Sequence, residues 1–198
     1  MVHWVESLPV NRVSHLEIIS KGTAISLRKI EVSDLDILTN YEYSASITEA
    51  HSDLEVLTQL YTDYRLWDVL AGAAAIIENK SSHMLGTLQF FRSAPCIHGL
   101  EIGYIIHKRE DRGKGYAAQA LRLLSDHLFS TSTSISRQQL LIEVWNAPSW
   151  KVAEHCGFIR EGILRSSGFG DTPADCFIYS RTANDYHGET NSMNRPSS

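Results

Sequence analysis

Apolar residues in this chain recur with two different periods, and each change of period marks a new element. Ile25 and Leu27 alternate with Ser26 and Arg28, which predicts a strand over 23–30. Ser33-x-x-Asp36 precedes a helical pattern of Leu35, Ile37, Leu38 and Tyr41. Ser52-x-x-Glu55 opens a second helix that aligns Leu54, Leu57, Tyr61 and Tyr64 on one face. Residues 71–79 and 84–91 predict two strands about a turn at 80–83, and 100–107 completes an antiparallel meander. Ala117, Ala120, Leu121, Leu124 and Leu128 then return to helical spacing. An apolar strand comes next at 138–145, with Glu143 inside it. Asn146-Ala147-Pro148-Ser149 begins a short helix that Gly157 ends, and strands at 160–167 and 175–181 close the pattern.

The predicted order is β-α-α-β-β-β-α-β-α-β-β. It implies an α+β domain over 22–182, with a mixed, mostly antiparallel seven-stranded sheet and about four helices. Residues 1–21 carry Trp4, Val5, Leu8, Val10 and Val13 without a period and read as an extension packing on the domain. Residues 183–198 are polar, with few large apolar side chains, and are expected to be a disordered tail.

One junction carries chemistry. Arg112-Gly113-Lys114-Gly115-Tyr116-Ala117 lies between the strand at 100–107 and the helix after it. A helix start presents unpaired N–H groups and the positive end of the helix dipole, and glycines let that backbone approach a ligand closely. The expectation is an anion site, with phosphate the leading candidate. A P-loop would need Ser or Thr after Lys114, where Gly115 stands. A dinucleotide fingerprint is nearly met by Gly113, Gly115 and Ala118, but 130–139 contains no ribose-binding carboxylate. The acyl-CoA pattern Q/R-x-x-G-x-G/A is met in full by residues 112–117.

Composition narrows the setting only a little. The 198 residues carry a net charge of −5 and no Lys/Arg run longer than two, so no nucleic-acid footprint is expected. Cys96, Cys156 and Cys176 are few and widely spaced, as suits a reducing compartment, and a cytoplasmic location is expected. Neither a leader nor a membrane-spanning run is read, and no metal-binding histidine pair is present.

Element order and motifs together resemble the GNAT superfamily of acetyltransferases, and within it the RimJ/RimL-like branch. Residues 100–106, LEIGYII, resemble the strand that pairs with pantetheine, and 112–117 the pyrophosphate loop. Asn146-x-x-Ser149 followed by Gly157-Phe158-x-x-Glu161-Gly162 is similar to that branch's signature. Two departures stand out: the 107–111 connection is one residue longer than usual, and Trp150 comes directly after the serine.

The resemblance implies acetyl-CoA as co-substrate and no metal. The N–H groups of Gly113, Lys114, Gly115, Tyr116 and Ala117 would hold its pyrophosphate, with Arg112 and Lys114 flanking it. Backbone groups of Ile105 and Ile106 would pair with pantetheine, one N–H serving the thioester oxygen. Asn146 would contact pantetheine, and Ser149 would give a proton to the departing thiolate; helix capping alone also explains both residues. Glu101, a carboxylate within an apolar strand, is the leading general base. Asp175 is its rival and is expected mainly to hold the acceptor ammonium, while Glu143 reads as paired or surface. Cys156 reads as a packing residue.

The expected reaction is direct attack of an amine on the thioester in a ternary complex. An α-amine of pKa near 7.8 is roughly a quarter neutral at physiological pH. A lysine-type amine near 10.4 carries a handicap of roughly 4 kcal/mol. With no unambiguous base in view, an α-amine is the expected acceptor: a protein N-terminus, an aminoacyl conjugate or a small amine or antibiotic. A homodimer is left open. The alternatives are a catalytically silent acyl-CoA-binding regulator and, more remotely, a nucleotide-dependent oxidoreductase.

Overall fold

The computed structural model describes residues 17–39, 54–64, 66–68, 70–93, 98–168 and 173–193. Its centre is one eight-stranded sheet in the order β1-β2-β3-β4-β5-β6-β8-β7. The strands are β1 (Ile18–Lys21), β2 (Ile25–Lys29), β3 (Ala71–Glu78), β4 (Met84–Arg92), β5 (Leu100–Ile106), β6 (Arg137–Glu143), β7 (Ile159–Leu164) and β8 (Cys176–Thr182). The helices are α1 (Leu35–Thr39), α2 (Leu54–Tyr64), α3 (Tyr116–Thr131), α4 (Ala147–His155) and α5 (Ala183–Met193). Every neighbouring pair is antiparallel except β5–β6. The α+β class and the element order from β2 to β8 agree with the sequence expectation.

Three expectations need correction. The sheet has eight strands, because Ile18–Lys21 pairs with β2; this part of the expected extension is sheet, and residues 1–16 lie outside the described residues. Five α-helices are present among the described residues, against about four expected. The expected disordered tail is helical over Ala183–Met193. A local cap starts that helix: Thr182 N–H donates to Asp185 Oδ2 at 2.8 Å, and Asp185 N–H donates to Thr182 Oγ1. Polar contacts then hold it, since Glu189 accepts from both Arg181 (2.9 Å) and Arg122 (2.7 Å), and Tyr186 stacks on Phe129. Tyr41, Ser52 and Cys96, named in the sequence expectations, lie outside the described residues.

Strand alternation sorts the side chains onto two faces. Leu100, Ile102, Tyr104 and Ile106 of β5, Leu140 and Ile142 of β6, and Tyr179 of β8 pack with Leu121, Leu124 and Leu128 of α3 in the main core. Burying each such leucine contributes about 1.5–3 kcal/mol. The second face carries Ala73, Ala75 and Met84 against α1 and α2. By the same alternation it also carries Glu101 of β5 and Gln139, Leu141 and Glu143 of β6. No described helix is long and apolar enough to cross a membrane.

Candidate active site

β5 and β6 run parallel but pair only at Leu100–Gln138 and Glu101–Gln139. β5 continues to Ile106 and β6 to Glu143 with no further rung between them, so the two strands part company midway along the sheet. A parted pair leaves backbone N–H and C=O groups aimed into the opening. The alternation identifies which. His107 N–H donates to Leu85 O of β4, and a Cβ placed on Gly86 would collide with the Ile105 carbonyl, so both residues direct their backbone groups to β4. Ile106 therefore directs its N–H and C=O to the β6 side. Of the two isoleucines picked from sequence, Ile106 is the one aimed at the opening.

The carbonyl of Ile106 is already engaged. Arg112 Nε donates to it at 3.1 Å, and a terminal nitrogen of the same guanidinium donates to His107 O at 3.4 Å. Arg112 thus straps the end of β5 to the loop, a role its expected place beside a pyrophosphate did not include. Between them His107 is buried, and burial holds its imidazolium down at about 4, with His83 and Arg112 adding to the effect. At neutral pH the strand end carries no charge from this histidine.

The glycine loop has the form an anion requires. Gly113 and Gly115 take φ of +76° and +82°, conformations that glycine adopts without the penalty of a side chain. A Cβ on either would meet nothing within 4 Å, so the surface above them is free for a ligand. Gly115 is the N-cap of α3 and supplies no side-chain cap, which leaves the first-turn N–H groups of a 16-residue helix for an anion. Lys114 Nζ pairs with Asp111 at 3.0 Å, and the Tyr116 hydroxyl donates to Glu78 Oε1 at 2.8 Å. Those side chains shape the rim, while the backbone offers the donors. This cradle fits the pyrophosphate of acetyl-CoA.

α4 begins where β6 ends, which places its first turn beside the parted strands. Asn146 is its N-cap, its Oδ1 accepting from Ser149 N–H at 3.3 Å. Tyr104 of β5 brings its hydroxyl to 2.9 Å from Ser149 Oγ and 3.0 Å from Ser149 O, joining the two sides of the opening. Sequence reasoning missed this tyrosine, which reads there as one more apolar-period position of a strand. Burial pushes its phenol far above the ordinary tyrosine value, so it stays protonated.

On the second face Glu101 is 7% exposed, and its Oε2 accepts from Gln139 Nε2 at 2.9 Å. Burial raises its carboxyl pKa, and the amide hydrogen bond only partly opposes that rise. Glu143, expected to be paired or on the surface, is 8% exposed, with no hydrogen bond or ion pair to its carboxylate among the described residues. Asp175 is exposed, and its Oδ1 accepts from Ser166 N–H at 3.0 Å, fixing a residue held at φ +53°. Burial raises the Cys176 thiol on the same side; Ser167 opposes it, and nearby Glu143, Asp175 and Glu101 add to the rise. Cys156 packs as expected, its Sγ donating to Ala118 O and its pKa pushed up to about 11 by burial.

Residues 25–159 match the family model described as an acetyltransferase (GNAT) domain. The chain belongs to the GNAT acetyltransferase family. An uncharacterized N-acetyltransferase, p20, from Bacillus licheniformis is 30% identical over 149 residues, covering 71% of this chain and 82% of that protein. A spermidine N(1)-acetyltransferase of Vibrio cholerae is 25% identical over 148 residues, covering 72% and 83%. The fold is also similar to the Vibrio cholerae spermidine N-acetyltransferase solved with CoA and spermine. That likeness has a TM-score of 0.71 at 20% identity and covers 83% of this chain and 98% of the other. This GNAT protein is an acetyl-CoA-dependent N-acetyltransferase, and acetyl-CoA is its co-substrate.

Proposed function

We propose that this acetyltransferase acylates a small amine carrying more than one positive charge, with Glu101 as general base. The observation that carries the reading is Glu101 itself: a carboxylate 7% exposed, with a neutral amide as its hydrogen-bond partner, on the strand that leads to the phosphate cradle. Burial without a cation raises its proton affinity toward the range a base needs near neutral pH. The α-amine preference read from the sequence rested on the lack of an unambiguous base, and the burial of Glu101 weakens that premise. Glu143 on the same face, and Asp175 next to its strand partner Cys176, favour an acceptor with a second ammonium. The spermidine-acetylating relative supports the same class.

Acetyl-CoA presents the acetyl thioester, its pyrophosphate held by backbone N–H groups at 113–117. The N–H of Ile106 is the donor for the thioester oxygen, since that of Ile105 is directed to β4. Glu101 takes the ammonium proton through bridging water, and the amine nitrogen attacks the carbonyl carbon. The C–S bond breaks with its electron pair on sulfur, the second proton on the nitrogen leaves through water to give the neutral amide, and Ser149 donates a hydrogen bond to the thiolate. Asn146 holds the α4 turn against pantetheine, and Asp175 serves recognition. The Asn146-x-x-Ser149 and Gly157-Phe158-x-x-Glu161-Gly162 pattern supports a place beside the RimJ/RimL-like branch. The glutamate of that pattern also has a mechanical job: Glu161 holds Arg137 through two bonds of 2.8 and 2.6 Å.

The test is free-CoA release from acetyl-CoA with spermidine, putrescine, a free-N-terminus peptide and an aminoglycoside. Release with the polyamines above the peptide is expected. Release with the peptide alone would return the acceptor to the α-amine class. Acetyl-CoA binding without release for any of these amines would overturn the polyamine assignment.

A further inference from the structure

The Tyr104 hydroxyl has one proton and two acceptors at nearly equal distance, Ser149 Oγ at 2.9 Å and Ser149 O at 3.0 Å. Two hydrogen-bond patterns are therefore available. If Tyr104 donates to the carbonyl, the Ser149 hydroxyl can donate to Tyr104, and its proton is spent inside the protein. If Tyr104 donates to Oγ, the Ser149 proton is released to point elsewhere, and the parted β5–β6 edge lies beside it.

We infer that Tyr104 is a positioning residue that sets the direction of the Ser149 hydroxyl, aiming its proton at the leaving sulfur of the thioester. This role rests on the proposed function of Ser149. Tyr104 touches no reacting atom. It is fixed from β5, its ring packed with the main core, while Ser149 is fixed from α4, so the pair bridges the two walls of the opening. An accepted hydrogen bond makes the serine a better donor, because chained hydrogen bonds polarise one another. In the step, the C–S electron pair moves onto sulfur and Ser149 shares its proton with that sulfur without losing it. An alkoxide is a far stronger base than a thiolate, so the serine stays protonated. Tyr104 likewise keeps its proton throughout, and no oxidant or further reactant is needed.

Tyr104→Phe keeps the ring and removes the oxygen alone. The expected result is a kcat about tenfold lower, the scale of one neutral hydrogen bond, with acetyl-CoA affinity unchanged. In a Ser149→Ala background the same change should have no further effect on kcat. A purely structural contribution would instead multiply through both backgrounds, and that outcome overturns the role, as does an unchanged kcat in Tyr104→Phe. A second readout needs no turnover: thiolate absorbance of bound CoA followed against pH. The thiol of CoA bound to the unaltered protein should ionise at lower pH than free CoA, and Tyr104→Phe should reverse part of that shift. CoA that binds with a titration indifferent to Tyr104 overturns this role and leaves the acetyltransferase reading standing. Failure of CoA to bind overturns both. If CoA binds but no amine in the screen is acetylated, only the acceptor assignment fails, and the thiol titration still decides the role of Tyr104.

Discussion

Two groups of buried charge sit about one sheet and are treated in opposite ways. On the α3 face, Arg181 is 1% exposed and is answered by Asp126 at 2.7 Å, Glu189 at 2.9 Å and the Ser125 hydroxyl at 2.7 Å. Its charge is matched on the spot, and the result fastens α5 and α3 to β8. On the second face, Glu101 and Glu143 are 7% and 8% exposed, with no cation paired to either among the described residues. A buried charge without a partner is costly, and the Glu101 carboxyl answers by holding its proton more tightly. The first arrangement builds structure. The second keeps a proton acceptor in reserve for something that arrives.

Breaking the matched group should give the largest effect on folding. Arg181→Met removes the cation from two carboxylates and loosens α5, and should cost about 3 kcal/mol of stability in urea unfolding, with kcat nearly unchanged. Glu101→Gln should do the reverse: a kcat lower by roughly a hundredfold, the scale of general-base catalysis, together with a gain in melting temperature near neutral pH. The sign of that gain comes from linkage. Because the folded-state pKa of Glu101 is raised, the folded protein binds more protons than the unfolded one between the ordinary value and the raised one. Stability therefore falls as pH rises through that window, and a neutral glutamine escapes the loss.

Glu143→Gln should raise the acceptor KM about tenfold for a dicationic amine while changing kcat little, as expected for lost uniform binding. Glu161→Gln is the mildest break. Arg137 holds the Glu161 carboxyl down at about 2, so its contribution is present above the unfolded value and fades as pH falls toward 2. Glu161 is largely solvated, and the change should cost less than about 1 kcal/mol at neutral pH, read by thermal unfolding.

The legible parts of the sequence were those where a local rule and the final structure agree. Gly113 and Gly115 stood out because a strand, two glycines and a helix start form a motif within a few residues, and both occupy left-handed backbone. Glu101 stood out because a carboxylate interrupts an apolar strand. What escaped depends on partners distant in sequence. Tyr104 meets Ser149 from 45 residues away, and nothing near it marks its hydroxyl as engaged. Gln139 reaches Glu101 across 38 residues, through the one parallel pairing in the sheet. α5 escaped for a different reason. Its segment lacks an apolar stripe, and it is held by ion pairs and a stacked Tyr186, although the Thr182-x-x-Asp185 cap was there to be read.

The contrast between the two groups is tested most directly by where Glu101 titrates. Side-chain carboxyl NMR across a pH titration, with Glu101→Gln used to assign the Glu101 signal, measures this directly. Glu101 should titrate clearly above its ordinary value of 4.5, and the acid limb of kcat/KM should have the same midpoint. A Glu101 signal at or below 4.5, or an acid limb that survives in Glu101→Gln, would contradict the account and remove Glu101 as the base.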